Sequence, residues 1–263
     1  MERIMKILVI HGSMRKGNTY ALTTEITNRL TEFENVTCTE VNVADLNLPF
    51  CCSCHLCFGK GEEFCPHYDS LRELQAGLID CDGVVLSGTT YMWALNAAMK
   101  NLLDHLSYNF HRPVFFGKKG MVIATSSGNG EKSVAKYLKT VLGQWGVNGA
   151  IVVTQNAKEK KMISPDKINA KLDSAAKRFY EQVLFGKPKS PTFKSIAVHN
   201  AFRAMALSDF AEYERDTQYW KQSGYCDRAY PIKTAPLKYA VGAMMFSIAK
   251  NLTKMLGRGL EKS

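Results

Sequence analysis

Two short stretches of this 263-residue chain carry residue types that do chemistry. The first is HGSMRKGNTY, His11 to Tyr20, which follows the apolar run KILVI. It reads G-x-x-x-x-G-N-T, one residue away from the loop G-x-x-x-x-G-K-[ST] that holds nucleoside triphosphates. There the lysine meets the β- and γ-phosphates and the Ser/Thr meets magnesium. Asn18 stands where that lysine would be. A single terminal phosphate needs neither; it needs backbone N–H groups at a helix N-terminus, short polar side chains and a cation. Ser13, Asn18 and Thr19 offer the polar side chains, Gly17 permits close approach and Arg15 offers the charge. The dinucleotide fingerprint G-x-G-x-x-G is absent, so the loop points to a mononucleotide.

The second stretch is CCSCHLCFGKGEEFCPHYD. It places Cys51, Cys54 and Cys57 at two C-x-x-C steps and Cys65 eight residues later. With Cys52, five of the eight cysteines fall within fifteen positions, a clustering that argues for metal, iron–sulfur or redox chemistry over a disulfide scaffold. Four thiolates at such spacing are a ligand set for a [4Fe–4S] cluster. Zinc on Cys54, Cys57 and Cys65 with His55 or His67 is a second reading. A loop that binds nothing is a third. Cys38 and Cys81 are expected to be buried as small hydrophobes, and Cys52 and Cys226 have no assigned role. His11, His105, His111 and His199 show no ligand spacing and are expected to be satisfied structural histidines.

The elements that must position these stretches alternate along the chain. KILVI is a buried-strand run. TYALTTEITNRLTEF carries Leu22, Ile26 and Leu30 at helical spacing, with a cap near Asn18 or Thr19. VTCTEVNV alternates as a strand and the cysteine segment follows as a loop. The later runs GVVLSG, GMVIAT and GAIVVT read as strands. SLRELQAGLID, NAAMKNLLDHL, EKSVAKYLKTVLGQW and DKINAKLDSAAKRFYEQVLF read as the helices between and after them. That order predicts an α/β fold: a doubly wound, five-stranded parallel sheet covered on both faces. In such a sheet ligands bind where the strand order reverses, at the carboxyl ends of the strands. The loops GSMRKGNT, GTTYMW and TSSGNG should therefore converge. GKPKSPTF reads as a linker, which divides the chain into residues 1–186 and a helical extension, 187–263. In that extension Phe202, Ala206, Phe210, Tyr213, Thr217 and Trp220 mark one helix face, and a second helix runs from about Pro236 to Leu256.

With these loops in view, the chain resembles the NADPH-dependent FMN reductase and iron–sulfur flavoprotein group of the flavodoxin-like fold, strand order 2-1-3-4-5. The group's first segment resembles G-S-P-R-K-x-N-T, matched from Gly12 to Thr19 with Met14 in place of the proline. Its second is similar to GTTYMWALNAAMKNLLDH through Tyr91, Ala97, Lys100 and Asp104, with Thr89 and Asn96 replacing the usual prolines. ATSSGNG resembles the third. The resemblance covers roughly residues 5–185, with a weaker echo in YWKQSGY of the tail. It implies that Ser13, Arg15, Gly17, Asn18 and Thr19 hold the FMN phosphate. Thr89, Thr90, Tyr91, Met92 and Trp93 would border the ring and ribityl chain, and Ser126, Ser127 and Gly128 the pyrimidine side. It also implies a [4Fe–4S] cluster on Cys51, Cys54, Cys57 and Cys65, or a cysteine loop that only packs beside the flavin.

The implied activity is FMN-dependent oxidoreduction, with NAD(P)H as donor and a flavin, quinone or protein as acceptor. An electron carrier without an NAD(P)H site is the alternative. A signalling domain on the same fold would want an acidic phosphoacceptor at the end of the third strand, and VVLSGTTY offers none. The net charge is +10, and 13 Lys/Arg against 6 Asp/Glu from Lys187 onward put most of it in the tail. No nucleic-acid motif accompanies that charge, so no nucleic-acid partner is expected. The chain shows no signal peptide or transmembrane run, and a cytoplasmic protein is expected. Leu237, Val241, Met244, Ile248, Leu252 and Met255 form an apolar stripe on the last helix, with Lys250, Lys254 and Arg258 near its end. The expectation is a homo-oligomer in which this tail reaches a neighbour; peripheral contact with a membrane is the alternative.

Overall fold

The computed structural model describes residues 3–208 and 213–260. Among these, five parallel strands form the sheet: β1 (Met5–His11), β2 (Val36–Asn42), β3 (Gly83–Tyr91), β5 (Lys119–Ser126) and β6 (Ile151–Asn156), in the order β2-β1-β3-β5-β6. The two-residue strand β4 (Ala94–Leu95) pairs antiparallel with the end of β3. With β4 set aside, this is the expected order 2-1-3-4-5. The central strands are buried along nearly their whole length because helices cover both faces, which is why they read as continuous apolar runs.

On one face α1 (Asn18–Thr31) and α8 (Pro165–Phe185) bury Leu22, Ile26, Leu30, Leu172 and Phe179 against Ile7, Val9, Val85 and Ile123. On the other, α3 (Arg72–Asp80), α4 (Ala97–His105) and α6 (Glu131–Gln144) bury Leu74, Leu78, Met99, Leu102, Leu138 and Leu142 against Leu8, Ile10, Leu86 and Val122. Between β2 and α3 the cysteine loop holds one short helix, α2 (Leu56–Gly59), and single 3-10 turns at Glu62–Phe64 and Tyr68–Ser70. The remaining short helices are α5 (Tyr108–His111) and α7 (Ala157–Met162).

The extension differs from the sequence expectation. Instead of one helix through Trp220, the structure has α9 (Phe193–Ala206) and α10 (Glu214–Gln222), and Phe210 lies outside the described residues. The reason is a contact between the two helices. The Thr217 hydroxyl of α10 donates to the Ala206 carbonyl, 2.9 Å away, and so satisfies the end of α9 from the returning helix. The last helix, α11 (Pro236–Leu260), packs on α9. Trp220 is fully buried, and its indole N–H donates to the His111 carbonyl at 3.0 Å, so α10 is fastened directly to α5.

Candidate functional site

The three expected loops meet at the carboxyl edge of the sheet. Thr19, from the first turn of α1, is the knot. Its hydroxyl lies 2.7 Å from that of Thr89 on β3 and 2.6 Å from that of Thr125 on β5, near the carboxyl end of each strand. Gly12 donates its N–H to Ser87 Oγ at 3.2 Å, and a Cβ there would stand 2.1 Å from the Ser87 carbonyl oxygen. Only glycine lets β1 leave the sheet that close to β3. Asn96, buried ahead of α4, donates to the Gly12 carbonyl at 2.7 Å and accepts from the Thr89 N–H at 3.3 Å. In the sequence Asn96 is only a departure from proline; in the structure it stitches the first loop to the second.

The second loop is not a loop throughout. Thr89, Thr90 and Tyr91 continue β3, and Met92 and Trp93 make a two-residue hairpin turn to β4 with φ of 47° and 64°. Two successive positive φ angles suit a hairpin twist but are uncommon for side chains of this size. The turn leaves Tyr91, Met92 and Trp93 exposed by 58%, 93% and 68%, an apolar shelf at the strand end rather than core aromatics. Against it lies the third loop. Gly130, at φ 100°, has room for no side chain, since a Cβ would meet Thr90 Cγ2 at 2.8 Å and Trp93 Cα at 3.3 Å. The Thr90 hydroxyl is buried with no protein partner.

The individual residues divide by what their side chains already touch. Ser13 is buried and donates to the Arg15 carbonyl at 2.8 Å, and Thr19 is committed to the threonine knot. Both shape the loop, leaving Asn18, Arg15 and Lys16 as its exposed polar and charged side chains around Gly17. No side chain caps the first turn of α1 and no acid lies in it, so its N–H groups form a ready anion site. Ser126 donates to Glu131 Oε2 at 2.6 Å, while Ser127 is exposed and Gly128 half-buried. Glu131 was not singled out in the sequence. Burial pushes its carboxyl up, but the bonds from Ser126, its own N–H and Asn156 outweigh this and hold it below the usual range. A phosphate-ready helix end, an apolar shelf and an orphaned hydroxyl fit a flavin mononucleotide.

The cysteine loop forms a second site beside the first. Cys51, Cys54, Cys57 and Cys65 line one cavity of about 170 Å³, together with Cys52, His67 and His105. Helix α4 props one wall. Asn101 accepts from the Cys51 N–H at 3.0 Å and donates to the Leu48 and Pro49 carbonyls, and His105 Nε2 donates to the Pro49 carbonyl at 3.0 Å. That bond leaves His105 Nδ1 to accept from the Cys65 thiol at 3.7 Å. Arg112 props the other wall: its Nη2 donates to the Cys57 carbonyl at 2.9 Å and to Glu62 Oε2 at 2.8 Å. Its Nη1 pairs with Asp216 of α10, which also accepts from His111 Nδ1 at 2.6 Å. Burial pushes the Cys57 thiol up to about 11, with the neighbouring thiols adding to the shift, and Cys65 is raised for the same reasons.

Several smaller expectations need correcting. Among the described residues no three His, Cys, Asp or Glu side chains gather tightly enough to hold one metal ion, so the zinc arrangement of Cys54, Cys57 and Cys65 with His55 or His67 is not formed. His55 instead takes the Tyr213 hydroxyl at 2.9 Å. Cys81 is buried as expected, but Cys38 is only half-buried. His11, His105 and His111 have partners, whereas neither ring nitrogen of the buried His199 does.

A doubly wound sheet with an anion-ready first loop and an apolar shelf at its switch point defines a flavodoxin-like, mononucleotide-binding protein. The family described as NADPH-dependent FMN reductase matches residues 5–159, more than half of the chain, and the protein belongs to that family of FMN-dependent reductases. A curated relative, an iron–sulfur flavoprotein of Archaeoglobus fulgidus, is 25% identical over 231 residues, covering 84% of this chain and 100% of its own. Among solved structures, an apo NADH:FMN oxidoreductase superposes with a TM-score of 0.52 at 20% identity, over 67% of this chain and 88% of its own. An azoreductase from Bacillus anthracis gives 0.53 at 15%, over 68% and 99%. At these identities the superpositions show the fold.

Proposed function

We propose that the protein is an FMN oxidoreductase that takes hydride from NAD(P)H and passes electrons to a flavin, quinone or protein acceptor. The observation that carries this reading is the threonine knot of Thr19, Thr89 and Thr125, which gathers the three loops around one anion-ready helix end and one exposed shelf. Bound FMN supplies the hydride chemistry, so no acid–base pair is required of the protein. The chain's own work is placement. The α1 amides, Asn18 and Arg15 hold the phosphate. Tyr91, Met92 and Trp93 offer the surface on which a planar ring rests, and Ser127 and Gly128 border its polar edge.

The test is flavin content and turnover together. Purified protein is expected to release FMN, not FAD, on denaturation and to oxidise NAD(P)H with a quinone or free flavin. Asn18→Ala with Arg15→Ala should lose most of the flavin. Full FMN in that variant would overturn the phosphate assignment, and FMN without NAD(P)H turnover would leave an electron carrier.

A second reading adds a [4Fe–4S] cluster on Cys51, Cys54, Cys57 and Cys65. The four thiols share one cavity, and the curated relative is an iron–sulfur flavoprotein. Anaerobic protein should then hold close to four irons per chain, and Cys54→Ser should bleach the broad visible absorbance. Iron-free anaerobic protein would leave a plain flavoprotein.

A further inference from the structure

A third cavity lies on the flank of the sheet, walled by α3, α10 and the segment between α5 and β5. Its volume is about 270 Å³, and none of its lining residues belongs to the three flavin loops. What ties it to the cysteine loop is Arg112, which is buried, lines this cavity, and donates to Glu62 and to the Cys57 carbonyl. Two other side chains on the wall lack the partners that burial demands. Gln75 of α3 is only 7% exposed, yet its Nε2 finds no acceptor among the described residues. Arg215 of α10 has a buried Nε in the same state, and among the described residues no carboxylate is bonded to it. Native proteins rarely leave buried donors unpaired, and a cavity stays empty when its walls are apolar rather than polar.

We propose that this cavity binds a small monocarboxylate that carries an apolar ring or short chain. Both unpaired groups are donors, so the ligand's polar end accepts. A carboxylate matches the guanidinium fork of Arg215, and the Gln75 amide reaches it by a turn about its last side-chain bond, which breaks no bond of Nε2. The count of charges selects a single anion. Glu62, the one acid on the wall, is already bonded to Arg112, and so is Asp216 behind it, which leaves Arg215 as the cation without a partner. The rest of the lining selects the body. Leu78 and Phe115 are buried in the wall, while Ile79 and Val114 are 68% and 48% exposed and make an apolar rim. Water alone would answer the donors and leave that rim wet, whereas an amphipathic acid answers the donors and covers the rim. At ~30 Å³ per water the space equals about nine waters, which suits a carboxylate with one ring.

The test is calorimetric titration of the full-length protein in excess FMN, with phenylacetate as the probe and its neutral amide, phenylacetamide, as the control. The acid should bind saturably, once per chain, and roughly tenfold or more tightly than the amide. Arg215→Gln should weaken it by about tenfold or more, and Gln75→Leu by less. Val114→Trp, which fills the cavity from an exposed position on the rim, should abolish it. Circular dichroism reports whether each variant is folded. Should Arg215→Gln or Gln75→Leu misfold, Val114→Trp and Ile79→Trp test the same cavity from its rim. A titration without saturable binding would leave the cavity to water and overturn the proposal. Amide bound as tightly as acid overturns the carboxylate. Binding that neither Arg215→Gln nor Val114→Trp weakens puts the acid elsewhere and overturns the site.

Discussion

The two candidate sites are neighbours held by different means. The flavin loops tie themselves: Thr19 bonds to Thr89 and to Thr125, Gly12 bonds to Ser87, and every partner lies on or just after a strand or in the first turn of a helix. The cysteine loop closes short turns of its own, such as Gly59 N–H to the His55 carbonyl and Tyr68 N–H to the Cys65 carbonyl, but its walls are held from outside. Its carbonyls and N–H groups are held by Asn101 and His105 of α4 and by Arg112, and Arg112 is itself held by Asp216, 104 residues further on. A site at the edge of a parallel sheet inherits its shape from the strands. A long irregular loop takes its shape from whatever packs on it, and here part of that packing comes from the helical extension.

The largest expected effect tests this dependence directly. Asp216→Ala takes from Arg112 its buried carboxylate partner and leaves it only the half-buried Glu62, so the cost approaches the about 3–5 kcal/mol of breaking a buried pair. Thermal unfolding should shift accordingly. Thiol labelling of the cysteine loop should speed up while the strand-end loops keep their flavin. Equal loss of flavin would break the comparison.

Acid should undock the extension next. His199 sits among Phe116, Trp220 and Tyr230 with no bond to either ring nitrogen, and burial pushes its imidazole down to about 3. Its unfolded value is near 6.5, so the unfolded chain binds the extra proton between those limits. The stability is complete above about pH 6.5 and is lost as pH falls toward 3. The slope is about 1.4 kcal/mol per pH unit, or about 2 kcal/mol by pH 5. Denaturant midpoints between pH 7 and 5 should follow this slope, and His199→Phe should flatten it. An unchanged slope would show that His199 does not carry the acid sensitivity.

The smallest effect belongs to the knot. Thr19→Val keeps the shape and removes two hydrogen bonds, an expected cost of about 1–2 kcal/mol. It should weaken flavin retention and leave thiol labelling unchanged, the mirror image of Asp216→Ala. Faster labelling in this variant would mean that the two regions are not separately held.

The sequence could be read furthest where structure is local and periodic. The alternating strands and helices and the three convergent loops follow from apolar spacing and from small residues at strand ends, signals that lie within one element and its neighbour, whereas the sheet order is implied by the family resemblance those loops carry. The reading stopped where a side chain's partner lies far along the chain. Thr19 has the type expected of a phosphate ligand, yet it turns inward, because its hydroxyl meets those of Thr89 and Thr125, 70 and 106 residues further on. Asn96, Asn101 and Glu131 carried no motif, and their roles exist only once α4 and α6 lie against the loops they hold. The break between α9 and α10 is of the same kind, since the group that satisfies the end of α9 is the Thr217 hydroxyl of α10.

By itself, then, the order of residues determined a parallel α/β sheet, a loop suited to one phosphate and four cysteines placed to share a site. Hydrophobic period and backbone geometry act over a few residues, and they are written directly in the chain. Only the tertiary structure decided that Met92 and Trp93 face outward, that Asp216 fastens the cysteine loop and that α11 turns its apolar row away from the protein. Those outcomes depend on which surfaces meet first and bury most, and on where buried charges find partners, and both are properties of the folded whole.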